Sequence, residues 1–111
     1  MKLAVIGSRG FSDYGQLATE LDKYQIECII SGGAKGADQL AARYAREKNI
    51  PLVEHLPEYE KYGRRAPLVR NKLIVEDCEF LLAFWDGTSR GTAFSIDLAQ
   101  KGGKKVEVVR Y

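Results

Sequence analysis

Short apolar runs alternate with amphipathic segments along the whole chain. The apolar runs predict five buried strands, at residues 2–7, 27–31, 51–55, 79–85 and 105–110. The segments between them have the apolar spacing of helices and cover residues 13–24, 36–48, 67–77 and 91–101. The polar segment LPEYEKYGRRA, at 56–66, has no such pattern and is predicted to be a loop.

This alternation predicts an α/β fold in which a parallel sheet is covered by helices on both faces. Right-handed crossovers then give a doubly wound, Rossmann-like sheet of five strands in the order 3-2-1-4-5. The chain length of 111 residues favours a single domain over residues 1–111. In such a sheet, ligands bind beyond the carboxyl ends of the strands, where the strand order reverses between the first and fourth strands.

The loops at the two edges of the predicted sheet differ in composition. Those that follow the carboxyl ends of strands hold most of the glycines, hydroxyl side chains and isolated arginines, and they cover 7–10, 31–36, 55–65 and 85–91. Loops that only connect elements have no need of this asymmetry. The glycines of SGGAKG, at 31–36, are predicted to let backbone N–H groups approach an anion at the start of a helix, where the helix dipole favours negative charge.

Composition and charge narrow the class of protein. The chain is 45% hydrophobic and 29% charged, which is typical of a globular domain. Its formal net charge is +2, from 17 basic and 15 acidic residues, and it lacks a row of aromatic side chains for base stacking. We therefore do not expect nucleic acid as a partner. No apolar run resembles a membrane span or a signal peptide, so we expect a cytoplasmic protein without a membrane partner.

Metal sites and the common nucleotide motifs are not expected either. Cys28 and Cys78 belong to no CxxC pair, and the chain has one histidine, so we predict reduced thiols and no metal. The loop SGGAKG lacks the GK[ST] ending of a P-loop and does not match GxGxxG. This argues against magnesium-dependent hydrolysis of a nucleoside triphosphate, and we expect no required cofactor.

Four motifs occur in a recognisable order. They are GSR at 7–9, SGGAKGAD at 31–38, RN at 70–71 and GTSRGT at 87–92. Together they resemble the small single-domain, YspA/YpsA-related branch of the SLOG superfamily, which also contains the LOG phosphoribohydrolases and the Rossmann domain of DprA. The resemblance implies a Rossmann-like fold and a site for a nucleotide or a nucleotide-derived ligand.

The resemblance also implies which residues bind that ligand. They are Gly7, Ser8, Arg9, Ser31, Gly32, Gly33, Gly36, Asp38, Arg70, Asn71, Gly87, Thr88, Ser89, Gly91 and Thr92. Arg70 matches the arginine that LOG enzymes use at their site, although it is also spaced to pair with a neighbour on its helix. The turn at 87–92 matches their phosphate-binding turn.

One departure from the LOG pattern concerns catalysis. LOG enzymes carry PGGxGTxxE, and Ser95 stands here at the position of the glutamate. A serine has no carboxylate to stabilise a ribosyl cation or to activate water. The catalytic residue is therefore unknown, with Asp38 and Asp97 as weak candidates. Three roles stay open for Asp38, namely a general base, a ribose ligand, or an acid that is stabilised by the helix dipole. Asp97 is expected at the surface, because it lies on a different face of its helix from Ser95.

Three functions remain open at this point. The first is binding of a nucleotide-derived small molecule, as a sensor or sequestering module, without a metal. The second is an N-ribosyl hydrolase in which Asp38 or Asp97 replaces the missing glutamate. The third is DprA-like binding of single-stranded nucleic acid, against which the net charge argues. We also expect a homodimer that pairs through the third and fourth predicted helices.

Overall fold

The computed structural model describes residues 1–111 and contains one sheet of five strands. The strands are β1 (Lys2–Gly7), β2 (Cys28–Ser31), β3 (Leu52–Glu54), β4 (Phe80–Trp85) and β5 (Lys105–Arg110). They lie in the order β3-β2-β1-β4-β5, and every neighbouring pair is parallel. The predicted doubly wound, Rossmann-like sheet is therefore confirmed.

Five helices connect the strands. They are α1 (Tyr14–Leu21), α2 (Ala37–Lys48), α3 (Tyr59–Tyr62), α4 (Ala66–Asp77) and α5 (Arg90–Lys101). Four of them match the predicted segments, although α1 ends three residues early. The short α3 and the 3-10 turn that follows it, Gly63–Arg65, were predicted as loop. That prediction is wrong because neither element buries a residue, so no apolar periodicity marks them in the sequence.

Both faces of the central strands are buried. On one face, Leu3 and Val5 of β1 pack with residues of α1 and α2. On the other face, Ala4 and Ile6 pack with residues of α4 and α5. Because side chains alternate between two covered faces, β1 and β4 read as continuous apolar runs rather than as alternating patterns.

The exposed apolar side chains include three on α4 and α5, the helices through which we expect a homodimer. Leu68, Leu73 and Phe94 are between 36% and 45% exposed. The homodimer itself stays a prediction. No helix of the chain combines the length and the apolar character that crossing a membrane requires.

Candidate functional site

A polar cavity lies at the carboxyl edge of the sheet, where the loops after β1 and β4 diverge. Its volume is about 220 Å³. Its lining residues are Ile6, Gly7, Arg9, Ala34, Asp38, Pro67, Arg70, Asn71, Ile74, Ser89, Gly91, Thr92 and Ser95. Only three of these 13 residues are hydrophobic. A polar crevice at the topological switch point suits a polar or charged ligand.

The cavity gathers many, but not all, of the residues predicted to bind a ligand. Those that line it are Gly7, Arg9, Asp38, Arg70, Asn71, Ser89, Gly91 and Thr92. Gly32 and Gly33 line a neighbouring groove instead. The remaining predicted residues line neither concavity, and these are Ser8, Ser31, Gly36, Gly87 and Thr88.

Ser8 does not line the cavity but holds together two of the segments that form it. Its side chain is buried, and its hydroxyl accepts a hydrogen bond from the N–H of Asp86 at 3.2 Å. Its own N–H donates to the carbonyl of Phe84 at 3.0 Å. Ser8 thus fastens the loop after β1 to the end of β4. Gly36 lets the loop after β2 pack closely against the loop after β1, because a Cβ on residue 36 would lie 2.5 Å from the carbonyl oxygen of Ser8.

The Asp38 side chain accepts hydrogen bonds from N–H groups of the glycine-rich loop that were expected to bind a ligand. Its Oδ2 accepts hydrogen bonds from the N–H groups of Gly32 and Ala34, each at 3.1 Å. The prediction that the loop offers these N–H groups to a bound anion is therefore wrong at Gly32 and Ala34. The physical reason is that a buried carboxylate in the first turn of α2 needs donors of its own.

Burial raises the pKa of the Asp38 carboxyl to about 6, well above its ordinary value. The hydrogen bond from Ala34, the positive charge of Arg70 and the hydrogen bond from Gly32 oppose this rise. Asp38 is the only acidic residue that lines the cavity. The charge of the cavity wall therefore changes near pH 6, as this carboxyl releases or takes up its proton.

Arg70, on α4, is anchored to the glycine-rich loop. Its Nη1 donates to the carbonyl of Gly32 at 2.7 Å, and its Nε donates to Oδ1 of Asn71 at 2.9 Å. A Cβ on residue 32 would lie 2.5 Å from Nη1, so this approach requires a glycine. No carboxylate forms an ion pair with Arg70. No carboxylate therefore competes with a ligand for the guanidinium, which has further N–H donors beyond the two already used.

The N-terminus of α5 faces Arg70 across the cavity. Oδ1 of Asp86 accepts from the N–H groups of Thr88 and Ser89, each at 2.8 Å. The N–H groups of the next three residues, Arg90 to Thr92, have no acceptor within the helix, and no side chain caps it. These donors and the helix dipole favour an anion. Asp86 is not among the residues predicted from the sequence, although the turn pattern DGTS at 86–89 signals it.

The second weak catalytic candidate lies outside the cavity. Asp97 is exposed on α5 and forms an ion pair with Lys101 at 2.9 Å. Ser95 does line the cavity, and its hydroxyl donates to the carbonyl of Gly91 at 3.2 Å. The cavity thus holds one carboxylate rather than the pair that glycoside hydrolysis ordinarily uses. No group of three or more His, Cys, Asp or Glu side chains is arranged to hold a metal ion.

Unpaired cations gather at the carboxyl edge of the sheet. None of the ion pairs involves Arg9, Lys35, Arg64, Arg65, Arg70 or Arg90, which lie at or beside this edge. One ion pair includes a residue of this edge, His55 with Asp77 at 3.2 Å, and others lie elsewhere, as between Arg43 and Glu47. Acidic residues such as Glu54 and Asp86 lie at the same edge, so what distinguishes these cations is that they form no ion pair.

Comparison with known proteins identifies the family. Residues 1–62 match the YspA, cpYpsA-related SLOG family. The Gene 61 protein of Mycobacterium phage D29 is 32% identical over 113 residues, a region that covers 92% of this chain and 90% of that protein. The chain belongs to this SLOG family. The resemblance drawn from the four motifs is therefore confirmed.

Two solved structures share the fold of this SLOG chain. DNA processing protein A (DprA) from Streptococcus pneumoniae matches with a TM-score of 0.75 and 22% identity, over 96% of this chain and 49% of that one. DprA from Helicobacter pylori matches with a TM-score of 0.74 and 26% identity, over 97% of this chain and 64% of that one. The SLOG chain thus spans about half the length of the first protein and less than two thirds of the second.

The Helicobacter pylori structure corrects one expectation. It describes a single-stranded DNA binding mode of that protein. The expectation that nucleic acid is not a partner, which rested on the net charge of the SLOG chain and on its lack of a row of aromatic side chains, is therefore wrong. The reason is that net charge averages over the whole surface, whereas binding depends on where the unpaired cations lie.

Proposed function

We propose that the cavity binds the phosphate group of a nucleotide. The observation that carries this proposal is the pairing of two features across one polar cavity. On one side are the open N–H groups of Gly91 and Thr92 at the N-terminus of α5. On the other side is the guanidinium of Arg70, which has no carboxylate partner. Both features favour a phosphate, and Arg9 adds a further positive charge at the mouth.

Membership of the SLOG family and the Rossmann-like crevice support a nucleotide as the source of this phosphate. Binding is favoured over hydrolysis of the ribosyl bond. The Ser95 hydroxyl offers no charge to a ribosyl cation, and Asp38 already accepts two backbone hydrogen bonds. An enzyme of the LOG type would need a second carboxylate in the cavity.

Single-stranded DNA is the second candidate ligand. Two observations favour it, namely the fold shared with Helicobacter pylori DprA and the unpaired cations that extend beyond the cavity. In this case the bound group is a phosphodiester of the strand, and the surrounding arginines and lysines contact neighbouring phosphates. Both candidates use the same cavity and differ in the length of the ligand.

Calorimetric titration with thymidine, thymidine monophosphate and a short oligothymidylate tests both candidates. We expect the phosphorylated ligands to bind and thymidine not to bind. Arg70→Ala should weaken binding, whereas Arg46→Ala, an exposed arginine on α2, is the matched control and should not. Much tighter, salt-dependent binding of the oligothymidylate would favour single-stranded DNA. Failure of every phosphorylated ligand to bind would contradict the proposal.

A further inference from the structure

A second concavity adjoins the proposed phosphate cavity. Its volume is about 450 Å³, and it shares Arg9, Ala34 and Arg70 with the cavity. Beyond these shared residues, its walls include Lys35 from the glycine-rich loop and Tyr59 from α3. We call this concavity the Tyr59 groove. A ligand in the cavity that extends past Arg70 therefore enters the Tyr59 groove.

The Tyr59 ring has no stacking partner within the protein. Nine of the aromatic residues contact another ring or a cation, as Phe11 does with Phe84 and Trp85 with Arg110. The two that do not are Tyr59 and Phe94. Phe94 lines neither concavity, whereas Tyr59 lines the groove and is 58% exposed. Tyr59 is thus the one uncovered aromatic ring beside the proposed site.

Leu56 forms an apolar wall of the same groove and is 60% exposed. It packs against the glycine-rich loop, since a Cβ on residue 33 would lie 2.6 Å from its Cδ2. Gly33 also has φ +70°, where a side chain is strained. The absence of a side chain at Gly33 therefore makes room for Leu56.

The cavity alone is too small for a whole nucleotide. Its volume of about 220 Å³ lies below the roughly 300–1,000 Å³ of sites that enclose a small-molecule ligand. A nucleotide whose phosphate lies at α5 must place its base outside the cavity. The Tyr59 groove combines apolar surface with the positive charges of Arg9, Lys35 and Arg70, which suits a base that is attached to a phosphate.

We propose that the Tyr59 groove is a base-stacking subsite, in which the base of the bound nucleotide lies on the Tyr59 ring. This inference rests on the proposed function of the cavity. Stacking on an aromatic face tolerates every base, so the subsite strengthens binding without selecting sequence. The same chemistry serves a free mononucleotide or one unit of a single strand.

Titrations with ribose 5-phosphate, AMP and a short oligothymidylate test the subsite. We expect AMP to bind roughly five- to a hundredfold more tightly than ribose 5-phosphate, the range that base stacking on an aromatic ring gives. Tyr59→Ala should remove this difference, and Tyr59→Phe should keep it. Phe94→Ala removes the other uncovered ring and is the matched control that should leave binding unchanged.

The outcomes separate the subsite from the cavity. If ribose 5-phosphate and AMP bind equally, and Tyr59→Ala changes neither AMP nor oligothymidylate binding, the subsite is contradicted and the phosphate cavity stands. If no phosphorylated ligand binds the wild-type chain, the proposed function itself fails. A loss with Tyr59→Ala for AMP supports stacking of a free nucleotide, and a loss confined to the oligothymidylate supports stacking of a base within a strand.

Discussion

Nη1 of Arg70 donates a hydrogen bond to the carbonyl of Gly32 at 2.7 Å, across 38 positions of the chain. The bond ties α4 to the loop after β2 and fixes a guanidinium at the mouth of the cavity before any ligand arrives. Such preorganisation reduces the entropy that a ligand must offset on binding. Arg70 is therefore both a part of the folded structure and the main cation of the proposed site.

Replacing Arg70 should affect affinity and stability together. Arg70→Ala removes a charge-assisted contact to phosphate, so affinity should fall about ten- to a hundredfold. It also removes the hydrogen bond to Gly32, so the free energy of unfolding should fall by about 1 kcal/mol. The sequence alone predicts little change in stability, because the hydrogen bond between α4 and the loop after β2 is not visible there. Urea unfolding and calorimetry measure the two effects, and Arg46→Ala serves as the control for both.

Adding a single methyl group at Gly32 should displace Arg70. Its Cβ would lie 2.5 Å from Nη1, so the flexible Arg70 side chain should shift and Gly32→Ala should weaken phosphate binding, by less than Arg70→Ala does. Combined with Arg70→Ala, it should cause little further loss, since both changes act on the same guanidinium. A Cβ at Gly10 meets nothing within 4 Å, so Gly10→Ala is the matched control. Fully additive losses in the double variant would contradict this coupling.

Asp38 should make the stability of the protein fall as pH rises through the acid range. Its pKa is raised to about 6 in the folded protein, so between the ordinary pKa and this value the folded state holds a proton that the unfolded state has lost. The contribution of Asp38 to the free energy of unfolding is therefore largest below this window. This contribution, up to about 3 kcal/mol, is lost as pH rises through about 6. Urea unfolding from about pH 4 to pH 7 measures this trend.

Asp38→Asn provides the control for that trend. An asparagine oxygen still accepts from the N–H groups of Gly32 and Ala34 but does not titrate. Relative to the wild type, the variant should gain stability as pH rises through about 6. If the difference in free energy of unfolding between the wild type and the variant stays constant across this pH range, the Asp38 carboxyl does not have a raised pKa.

The same carboxyl should weaken anion binding at neutral pH. A phosphodiester such as thymidylyl-thymidine keeps its charge throughout this range, so a change in its affinity reports on the protein. Protonation of Asp38 removes the only negative charge that lines the cavity, and affinity should therefore rise as pH falls through about 6. In Asp38→Asn this rise should be absent. Anisotropy titrations of a labelled dinucleotide at several pH values measure it.

The sequence predicts the fold well and the site in part. Alternating apolar runs and helical spacing give the strands and their order, because parallel strands with two covered faces leave few other topologies. The loops at the carboxyl edge, with Gly91 among them, follow from that topology, whereas Arg70 comes from the resemblance to the SLOG superfamily. Two features are not predictable, namely the capture of loop donors by Asp38 and the exposed ring of Tyr59. The first is a contact over only four to six positions, whose geometry the residue pattern does not show, and the second depends on how α3 lies relative to the glycine-rich loop.

The most direct measurement of the central claim is amide NMR of the labelled chain during titration with thymidine monophosphate. If the phosphate lies at the start of α5, the N–H signals of Gly91 and Thr92 should shift most, together with the side-chain Nε–H of Arg70. Thymidine without phosphate should leave these signals in place. Saturable shifts elsewhere with none at Gly91 and Thr92, or no shifts at millimolar ligand, would contradict phosphate binding at this cavity.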